Sequence, residues 1–517
     1  MFIFMIIIPV LSIVLLWTWQ FFNWAWLKPK EIERLFRKQG MKGNSYKFLV
    51  GDSKETSSMY EEAYSKPIGF NDDIIPRVMP NIFDSINKYG DFSFSWSGPR
   101  PRVFIMDTTV ARDVLTKHRF YKKTFKVASH TARLLIGGIA DLEGDEWVKS
   151  RAKLNPLFHT NKLKPMVATF QICTQETLNK WREMTSKEGG SCVVDVFSHF
   201  EILTSEVLSQ LMFSSKYTDD IKQTFFELSE LANLAKFQSK ILTLPGEKYL
   251  PNQTNRRGEE IDKHVRVVFT SMIRERLKNK GKSPSGNLDL LDVFIHELRD
   301  EKVTKESDLQ KIVEDAIANC KLFFFAGYET SSNLLTWTLI MLSFHQDWQA
   351  RTRDEVFQVL GNKNEITSDD LGKLKIVTMI INEMLRLYPP VMEITRIIDE
   401  DTNINQYAVP KGTLLTFPVL MFHRSKEIWG EDAGEFKPDR FADGVLKAAN
   451  GEAAFMPFGW GPKICIGMNF SMLETKTFLA MFLREFSAEF SPTYTHAPVV
   501  AFTIQPQFGA PVVLRKL

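Results

Sequence analysis

The chain has little cysteine and almost no net charge. Four cysteines occur in 517 residues, and none forms a C-x-x-C pair: Cys173, Cys192, Cys320 and Cys465. Thiols so few and so dispersed argue against a disulfide framework and favour a reducing compartment. The formal net charge is +3, which provides no polyelectrolyte attraction for nucleic acid. We therefore expect no nucleic-acid partner.

Charge is missing altogether from residues 1–27. Residues 2–16 are almost wholly apolar, and a basic segment begins at Lys28. Between the two lie the tryptophans Trp17, Trp19, Trp24 and Trp26. An apolar span of this length, with an aromatic belt and following positive charge, predicts a single-pass membrane anchor whose C-terminal side is cytoplasmic. A cleaved signal peptide is the alternative, but the span has no positive n-region and no small-residue cleavage site.

The rest of the chain is mostly helical in its periodicity. Apolar residues make up 44% of the sequence and include 41 phenylalanines, enough for a large core. Strands are predicted at 92–96 and 103–106, and a second hairpin at 403–407 and 414–419 with its turn at 410–412. The predicted fold class is mainly α with a small β portion. A flexible polar loop is predicted at 279–287.

One long helix is predicted to begin at a capping box at 307–310 and to end near residue 344, a length of roughly 55 Å. In its middle Gly327 weakens the helix, and the hydroxyl of Thr330 or of Ser331 can bond to a carbonyl one turn back. Together these features open a groove beside polar groups such as Glu329. The alternative is an ordinary buried helix whose glycine allows close packing.

A glycine-rich loop near the C-terminus presents a thiol. Phe458, Gly461, Cys465 and Gly467 are spaced F-x-x-G-x-x-x-C-x-G. Glycines let several backbone N–H groups face one sulfur, and let the backbone approach a flat cofactor closely. A thiolate is a metal ligand that such donors keep ionised. A lone cysteine is more often a small buried hydrophobe, but the fixed spacing favours a ligand loop.

Three further motifs place charged side chains on shared helix faces or near the thiol. Glu383 and Arg386 are spaced E-x-x-R, and Trp147 and Arg151 are spaced W-x-x-x-R, so that each pair lies on one face of a helix. Arg440 stands in a P-x-R-F segment shortly before the thiol loop. Taken singly, such charges are most often solvated surface groups.

The loop around Cys465 resembles the haem-binding loop of cytochrome P-450 enzymes. The resemblance implies that Cys465 is the axial ligand of the iron of haem b, and that Phe458, Gly461 and Gly467 surround the cofactor. Lys463 departs from the family, where arginine is commoner at this position. Lysine keeps the positive charge but loses the bidentate fork.

The same resemblance implies roles for the long helix. Glu329 and Thr330 correspond to the pair that delivers protons to bound oxygen, while the thiolate donates electron density from the other side. Ala326 and Gly327 correspond to the residues that make room for dioxygen.

The resemblance also implies two roles for the residues of the charged motifs. Contacts to the haem propionates are expected from Trp147, Arg151, Arg396 and Lys463, with His423 as a weaker candidate. A buried structural network is expected from Glu383, Arg386 and Arg440, with Asp439 where the family more often has glutamate.

Length alone would suggest about three domains. Because the motifs run from Trp147 to Cys465 and serve one cofactor, we expect a single haem-thiolate monooxygenase domain at 46–517. It follows a transmembrane anchor at 1–27 and a basic linker at 28–45.

Segments at 155–159, 428–433 and 496–498 are similar to a plant branch of the family that oxidises iridoid monoterpenoids, gibberellins and triterpenoids. This implies a hydrophobic terpenoid substrate, in a pocket walled by 124–139, 205–245, 324–328, 391–394 and 500–503. It also implies molecular oxygen and electrons from NADPH through an FAD- and FMN-containing diflavin reductase at the endoplasmic reticulum membrane. Glu393 is a departure, because a carboxylate facing the pocket would disfavour an acid substrate.

A basic patch of Lys149, Arg151, Lys153 and Lys476 suits an acidic electron donor, although an ordinary solvated face would look the same. Two other functions stay open from the sequence. A haem-thiolate enzyme that rearranges hydroperoxides needs no proton relay, so Glu329 and Thr330 argue against it. A membrane-anchored protein that binds haem or a hydrophobic ligand without catalysis is the second.

Overall fold

The structure is a computed structural model and describes residues 2–125, 128–213, 219–240, 252–278, 291–292, 306–449 and 454–517. The predicted loop at 279–287 lies outside these ranges. The helices up to residue 278 are α1 Phe2–Phe22, α2 Lys28–Lys38, α3 Ser53–Tyr64, α4 Ile75–Val78, α5 Pro80–Tyr89, α6 Thr108–Thr116, α7 His130–Leu135, α8 Gly144–Leu154, α9 Thr160–Leu163, α10 Met166–Lys187, α11 Val196–Phe213, α12 Asp219–Lys240 and α13 Gln253–Lys278. The later ones are α14 Glu306–Phe344, α15 Gln346–Leu360, α16 Ser368–Lys373, α17 Lys375–Leu387, α18 Val419–Arg424, α19 Lys426–Trp429, α20 Val445–Ala448 and α21 Met468–Glu485.

The strands are short and form a small part of the molecule. They are β1 Lys42–Gly43, β2 Phe92–Ser97, β3 Arg100–Ile105, β4 Tyr121–Lys122, β5 Ser191–Asp195, β6 Ile394–Ile398, β7 Thr402–Ile404, β8 Tyr407–Val409, β9 Leu414–Phe417, β10 Phe486–Phe490, β11 Pro498–Val500, β12 Ile504–Pro506 and β13 Pro511–Lys516. A six-stranded sheet has the order β1-β2-β3-β9-β6-β4, and a three-stranded sheet the order β10-β13-β5. The fold class predicted from periodicity, mainly α with a small β portion, is confirmed.

The first predicted hairpin is confirmed by the antiparallel pair β2 and β3. The second is wrong in its pairing. Strand β7 pairs with β8 through a two-residue turn in which Asn405 has a φ of 50°, a left-handed conformation that asparagine tolerates. Strand β9 instead joins the large sheet, antiparallel to β6 and parallel to β3.

Helix α14 runs through the core of the molecule, as its apolar length predicted. Residues 334–342 are buried all round the helix, and Trp337 stacks on Tyr388 with ring centroids 4.5 Å apart. Where helix α11 crosses it, a Cβ on Gly327 would stand 2.7 Å from a methyl carbon of Leu208. Glycine at this position therefore lets the two helices approach closely.

Helix α1 continues through a π-helical turn at Asn23–Leu27 into α2. The helical stretch Ile7–Lys38 is long and apolar enough to cross a membrane, and its most apolar window of 18 residues has no buried residue, which fits a membrane anchor. Within 28–45 the apolar face of α2 packs on the large sheet, where the ring centroids of Phe36 and Phe94 are 5.3 Å apart.

Candidate functional site

A cavity of about 770 Å³ lies between helix α14 and the thiol loop. Most of its lining is apolar, from Phe125, Phe323, Met392 and Phe502 among others. All of the sequence-predicted pocket segments contribute lining residues, namely 124–139, 205–245, 324–328, 391–394 and 500–503. Cys465 and Thr330 line this same cavity, although they lie on different elements. The cavity therefore combines an apolar volume for a ligand with the two groups predicted to serve the chemistry, the Cys465 thiol and the Thr330 hydroxyl.

The thiol loop holds Cys465 at the end of a tight turn before helix α21. The Cys465 N–H donates to the Phe458 carbonyl at 2.8 Å. At Gly461, where φ is +73°, a Cβ would come within 2.7 Å of the Leu115 carbonyl oxygen, so no larger residue fits without a backbone shift. Enclosure by protein raises the pKa of the Cys465 thiol, while the N–H groups of Gly467 and Met468 and the positive side chains nearby act in the opposite direction.

Positive side chains converge on the cavity near this loop: Lys123, Arg151, Arg396 and Lys463. Burial, followed by the charges of Lys463 and Arg396, lowers the pKa of Lys123 to about 8. Burial lowers the pKa of Arg396 to about 10, and the buried Arg396 Nε has no partner among the described residues. This buried positive charge, together with the unused Arg396 donor, favours an anion in the cavity.

The cavity residues fit haem. A planar, largely apolar group with two carboxylates matches the apolar walls and the four cations, and the thiol of Cys465 is a suitable iron ligand. Arg151 donates to the Ile464 carbonyl at 2.9 Å, which ties this cation to the thiol loop. Trp147 is buried in helix α8 and also lines the cavity.

On the opposite wall, Thr330 and Glu329 point in different directions. The Thr330 hydroxyl donates to the Ala326 carbonyl at 2.7 Å, as the sequence predicted for this turn, and lines the cavity. The Glu329 carboxylate lies behind the wall, where it accepts hydrogen bonds of 2.7 Å from Thr503 and from Gln505. Burial raises the pKa of Glu329, and these two donors act in the opposite direction.

The residues expected to form a structural network lie together. Arg386 makes a bidentate pair with Glu383, with both N–O distances 2.7 Å, and neither side chain is exposed. The Arg440 Nε lies 3.6 Å from the same glutamate. Asp439 lies apart and pairs with Arg351 at 3.2 Å on the surface.

His423, the weaker propionate candidate, does not line the cavity. It is fully buried, and its Nε2 accepts the Met456 N–H at 3.0 Å. Burial lowers the pKa of this imidazole to about 3. Its side chain therefore braces the backbone of the segment that leads to the thiol loop.

Comparison with known proteins decides the family. The cytochrome P-450 family model matches residues 77–506. The chain belongs to the cytochrome P-450 family. It is 43% identical over 512 residues to secologanin synthase 1 of Catharanthus roseus, across 98% of this chain and 97% of the relative. It is 40% identical over 512 residues to 7-deoxyloganic acid hydroxylase of the same plant, with 98% and 97% covered. The resemblance inferred from the sequence is confirmed.

This cytochrome P-450 is a monooxygenase with haem as its cofactor. Sequence reasoning gave no site role to Lys123 and Ser471, which line the cavity. It also missed the contacts that Arg102, Glu143 and Gln505 make with predicted site residues from behind the lining. These contacts join residues distant in sequence. The Glu329 to Thr503 bond, for example, spans 174 positions.

Proposed function

We propose that this cytochrome P-450 is a membrane-anchored monooxygenase that oxidises a hydrophobic plant terpenoid with molecular oxygen. The observation that supports it most directly is that Cys465 and Thr330 line one apolar cavity. The terpenoid class is taken from the relatives named secologanin synthase and 7-deoxyloganic acid hydroxylase.

Cys465 is assigned as the axial thiolate, in a loop shaped by Phe458, Gly461 and Gly467. Haem bound there supplies the activation of molecular oxygen. Trp147, Arg151, Arg396, Lys463 and Lys123 are assigned to the propionate side. Glu383, Arg386 and Arg440 hold the segment before the loop and have no part in the chemistry.

Thr330 and Glu329 are assigned to proton delivery. Because the Thr330 hydroxyl hydrogen is directed to the Ala326 carbonyl, the lone pairs of Oγ1 are free to accept a proton donor on the cavity side. Glu329, the residue before Thr330, takes protons from the side of the wall that faces away from the cavity. It lies close enough to Glu201 that its charge, after burial, helps raise the pKa of Glu201 to about 8. Because Ala326 has a small side chain and Gly327 has none, the helix backbone beside the Thr330 hydroxyl is not covered by side chains.

Electrons are proposed to come from NADPH through a diflavin reductase that carries FAD and FMN. Lys149 is exposed on helix α8, which suits an acidic partner. Lys476 is more enclosed and donates to the Leu371 carbonyl at 3.2 Å. The anchor at 1–27 and the linker at 28–45 place the domain at 46–517 on the cytoplasmic side of the endoplasmic reticulum membrane.

The test begins with the reduced carbon-monoxide difference spectrum of the full chain in microsomes. A red-shifted Soret band supports the Cys465 ligand, and its absence overturns the assignment. The second step adds reductase, NADPH and a panel of terpenoids. Product formation that needs both oxygen and NADPH supports the monooxygenase. Turnover of hydroperoxides without reductase would favour a rearranging enzyme, and binding without product a non-catalytic protein.

The relay is tested by Thr330→Ala, with Thr330→Ser as the matched control that keeps the hydroxyl. In the alanine variant we expect NADPH and oxygen consumption to continue while the share that yields product falls severalfold. Equal coupling in the wild type and Thr330→Ala would remove Thr330 from the relay.

A further inference from the structure

Glu393 is the one acidic side chain among the described residues that line the cavity. It lies in the segment between helix α17 and strand β6, next to the apolar lining residues Met392 and Ile394. The cavity cations belong to the side near Cys465, where they suit the carboxylates of haem. The apolar ligand volume therefore has a single negative group of its own.

Arg102 fixes the direction of this carboxylate. The Arg102 Nη2 donates to Glu393 Oε1 at 2.6 Å, and its Nε donates to the Thr416 hydroxyl at 2.8 Å. The Thr416 and Thr395 hydroxyl oxygens are 3.0 Å apart, so the arginine is held from behind by strand β9. Arg102 itself does not line the cavity.

The Arg102–Glu393 pair leaves one oxygen of the Glu393 carboxylate able to accept a further hydrogen bond. Oε1 of Glu393 is occupied by Arg102, whereas no residue in the described part of the chain donates to Oε2. The Glu393 side chain is 32% exposed, and its place in the lining directs that exposure toward the cavity. An ionised carboxylate has acceptor sites only. It suits a hydroxyl donor, and it opposes a second carboxylate because two acceptors share no proton, with a smaller contribution from like charge since Arg102 offsets part of the negative charge.

We propose that Glu393 Oε2 accepts a hydrogen bond from a hydroxyl group of the substrate, so that the enzyme takes a neutral hydroxylated terpenoid and discriminates against the matching carboxylic acid. This inference rests on the proposed function and narrows its substrate class. It also separates this chain from a relative named for an acid, 7-deoxyloganic acid hydroxylase.

The test measures binding rather than turnover. The haem-loaded full chain is dialysed to equilibrium at neutral pH against iridoid, diterpenoid and pentacyclic triterpenoid skeletons, each as the carboxylic acid and as the primary alcohol. For the skeleton that binds, we expect the alcohol to bind at least about tenfold more tightly than the acid, since a site that pairs with a hydroxyl rejects analogues that cannot donate.

Glu393→Gln is the decisive variant, because its amide keeps the size, removes the charge and can donate to a carboxylate. We expect the ratio of acid to alcohol Kd to fall about tenfold in this variant. Glu400→Gln is the matched control, an exposed acid near the far end of strand β6, and it should keep the wild-type ratio.

Equal affinity of acid and alcohol for the wild type would overturn the inference and leave the terpenoid assignment standing. An unchanged ratio in Glu393→Gln would overturn it as well. If no skeleton binds in either form, the terpenoid assignment is overturned, and this inference falls with it.

Discussion

The ammonium group of Lys463 forms an ion pair with the carboxylate of Glu143, and the lysine side chain is fully buried. Glu143 Oε1 also accepts a hydrogen bond from the backbone N–H of Lys123 at 2.8 Å. The Lys463 Nζ lies 5.4 Å from the centroid of the Trp147 ring. Lys463, which stands where the family more often has arginine, is thus paired with another side chain of the protein. Arg151, Arg396 and Lys123 are left as the less compensated cations of the site.

Glu143→Gln should destabilise the enzyme, because it leaves the Lys463 ammonium buried without a counter-charge. We expect a loss of about 3 kcal/mol in the free energy of unfolding, together with faster release of haem. Chemical denaturation and haem transfer to an acceptor protein measure the two effects. The control is Glu146→Gln, at an exposed acid in the first turn of helix α8, which Glu143 directly precedes. Equal unfolding free energies for the two variants would contradict this prediction.

Arg386→Lys should be more damaging than its conserved charge suggests. Beyond the bidentate pair with Glu383, Arg386 donates to the carbonyls of His423, Ala433 and Glu435. A lysine has no planar fork and cannot reach these acceptors together. We expect a loss of about 3–5 kcal/mol and little incorporated haem, measured by denaturation and by the Soret absorbance. Arg351→Lys, at a surface pair, should behave as the wild type, and a similar stability of both variants would refute the structural role.

Glu474 predicts a pH dependence of stability. It is buried on helix α21, and burial raises its pKa to about 8, while a contact with the Ser331 hydroxyl acts in the opposite direction. The folded state therefore keeps a proton that the unfolded chain releases above about pH 4.5, and this group's contribution to stability falls as pH rises toward 8.

Glu474→Gln removes that titration. Relative to the wild type, the variant should gain about 3 kcal/mol in unfolding free energy between pH 5 and pH 8, measured by denaturant titrations at both values. Glu427→Gln, at an exposed acid, should change by the same amount at both pH values. Parallel pH profiles of Glu474→Gln and the wild type would show that the group does not titrate as described.

Tyr46→Phe tests how the anchor joins the catalytic domain. The Tyr46 hydroxyl donates to the Ala25 carbonyl inside the π-helical turn and accepts the Leu49 N–H at 3.0 Å. Its loss should cost about 1–2 kcal/mol locally. In nanodisc-bound enzyme, we expect severalfold faster proteolysis between residues 38 and 45. The control is Tyr494→Phe, whose hydroxyl pairs with His496 and whose ring packs on Phe490, and it should leave the cleavage rate unchanged. Equal rates for both variants would argue against a fixed connection between the N-terminal helix and the domain.

Much of the fold was readable from local pattern. The apolar period of 306–344 marks the long helix, and the charge-free start of the chain marks the apolar N-terminal helix. The second hairpin was misread because the pattern of 403–419 fits two turns equally well. Pairing of β9 with β6 and β3 depends on residues about 20 and 300 positions away, which local propensity does not register.

The sequence by itself determined the family and predicted the haem-thiolate role of the loop around Cys465, because both depend on identities at short fixed spacings. Only the tertiary structure decided which partner each charge has. It pairs Lys463 with Glu143 across 320 positions, places Glu329 against Thr503 and Gln505, and holds Glu393 with Arg102 at the cavity. Side-chain partners are set by long-range packing, and packing brings together residues whose spacing in the chain carries no signal.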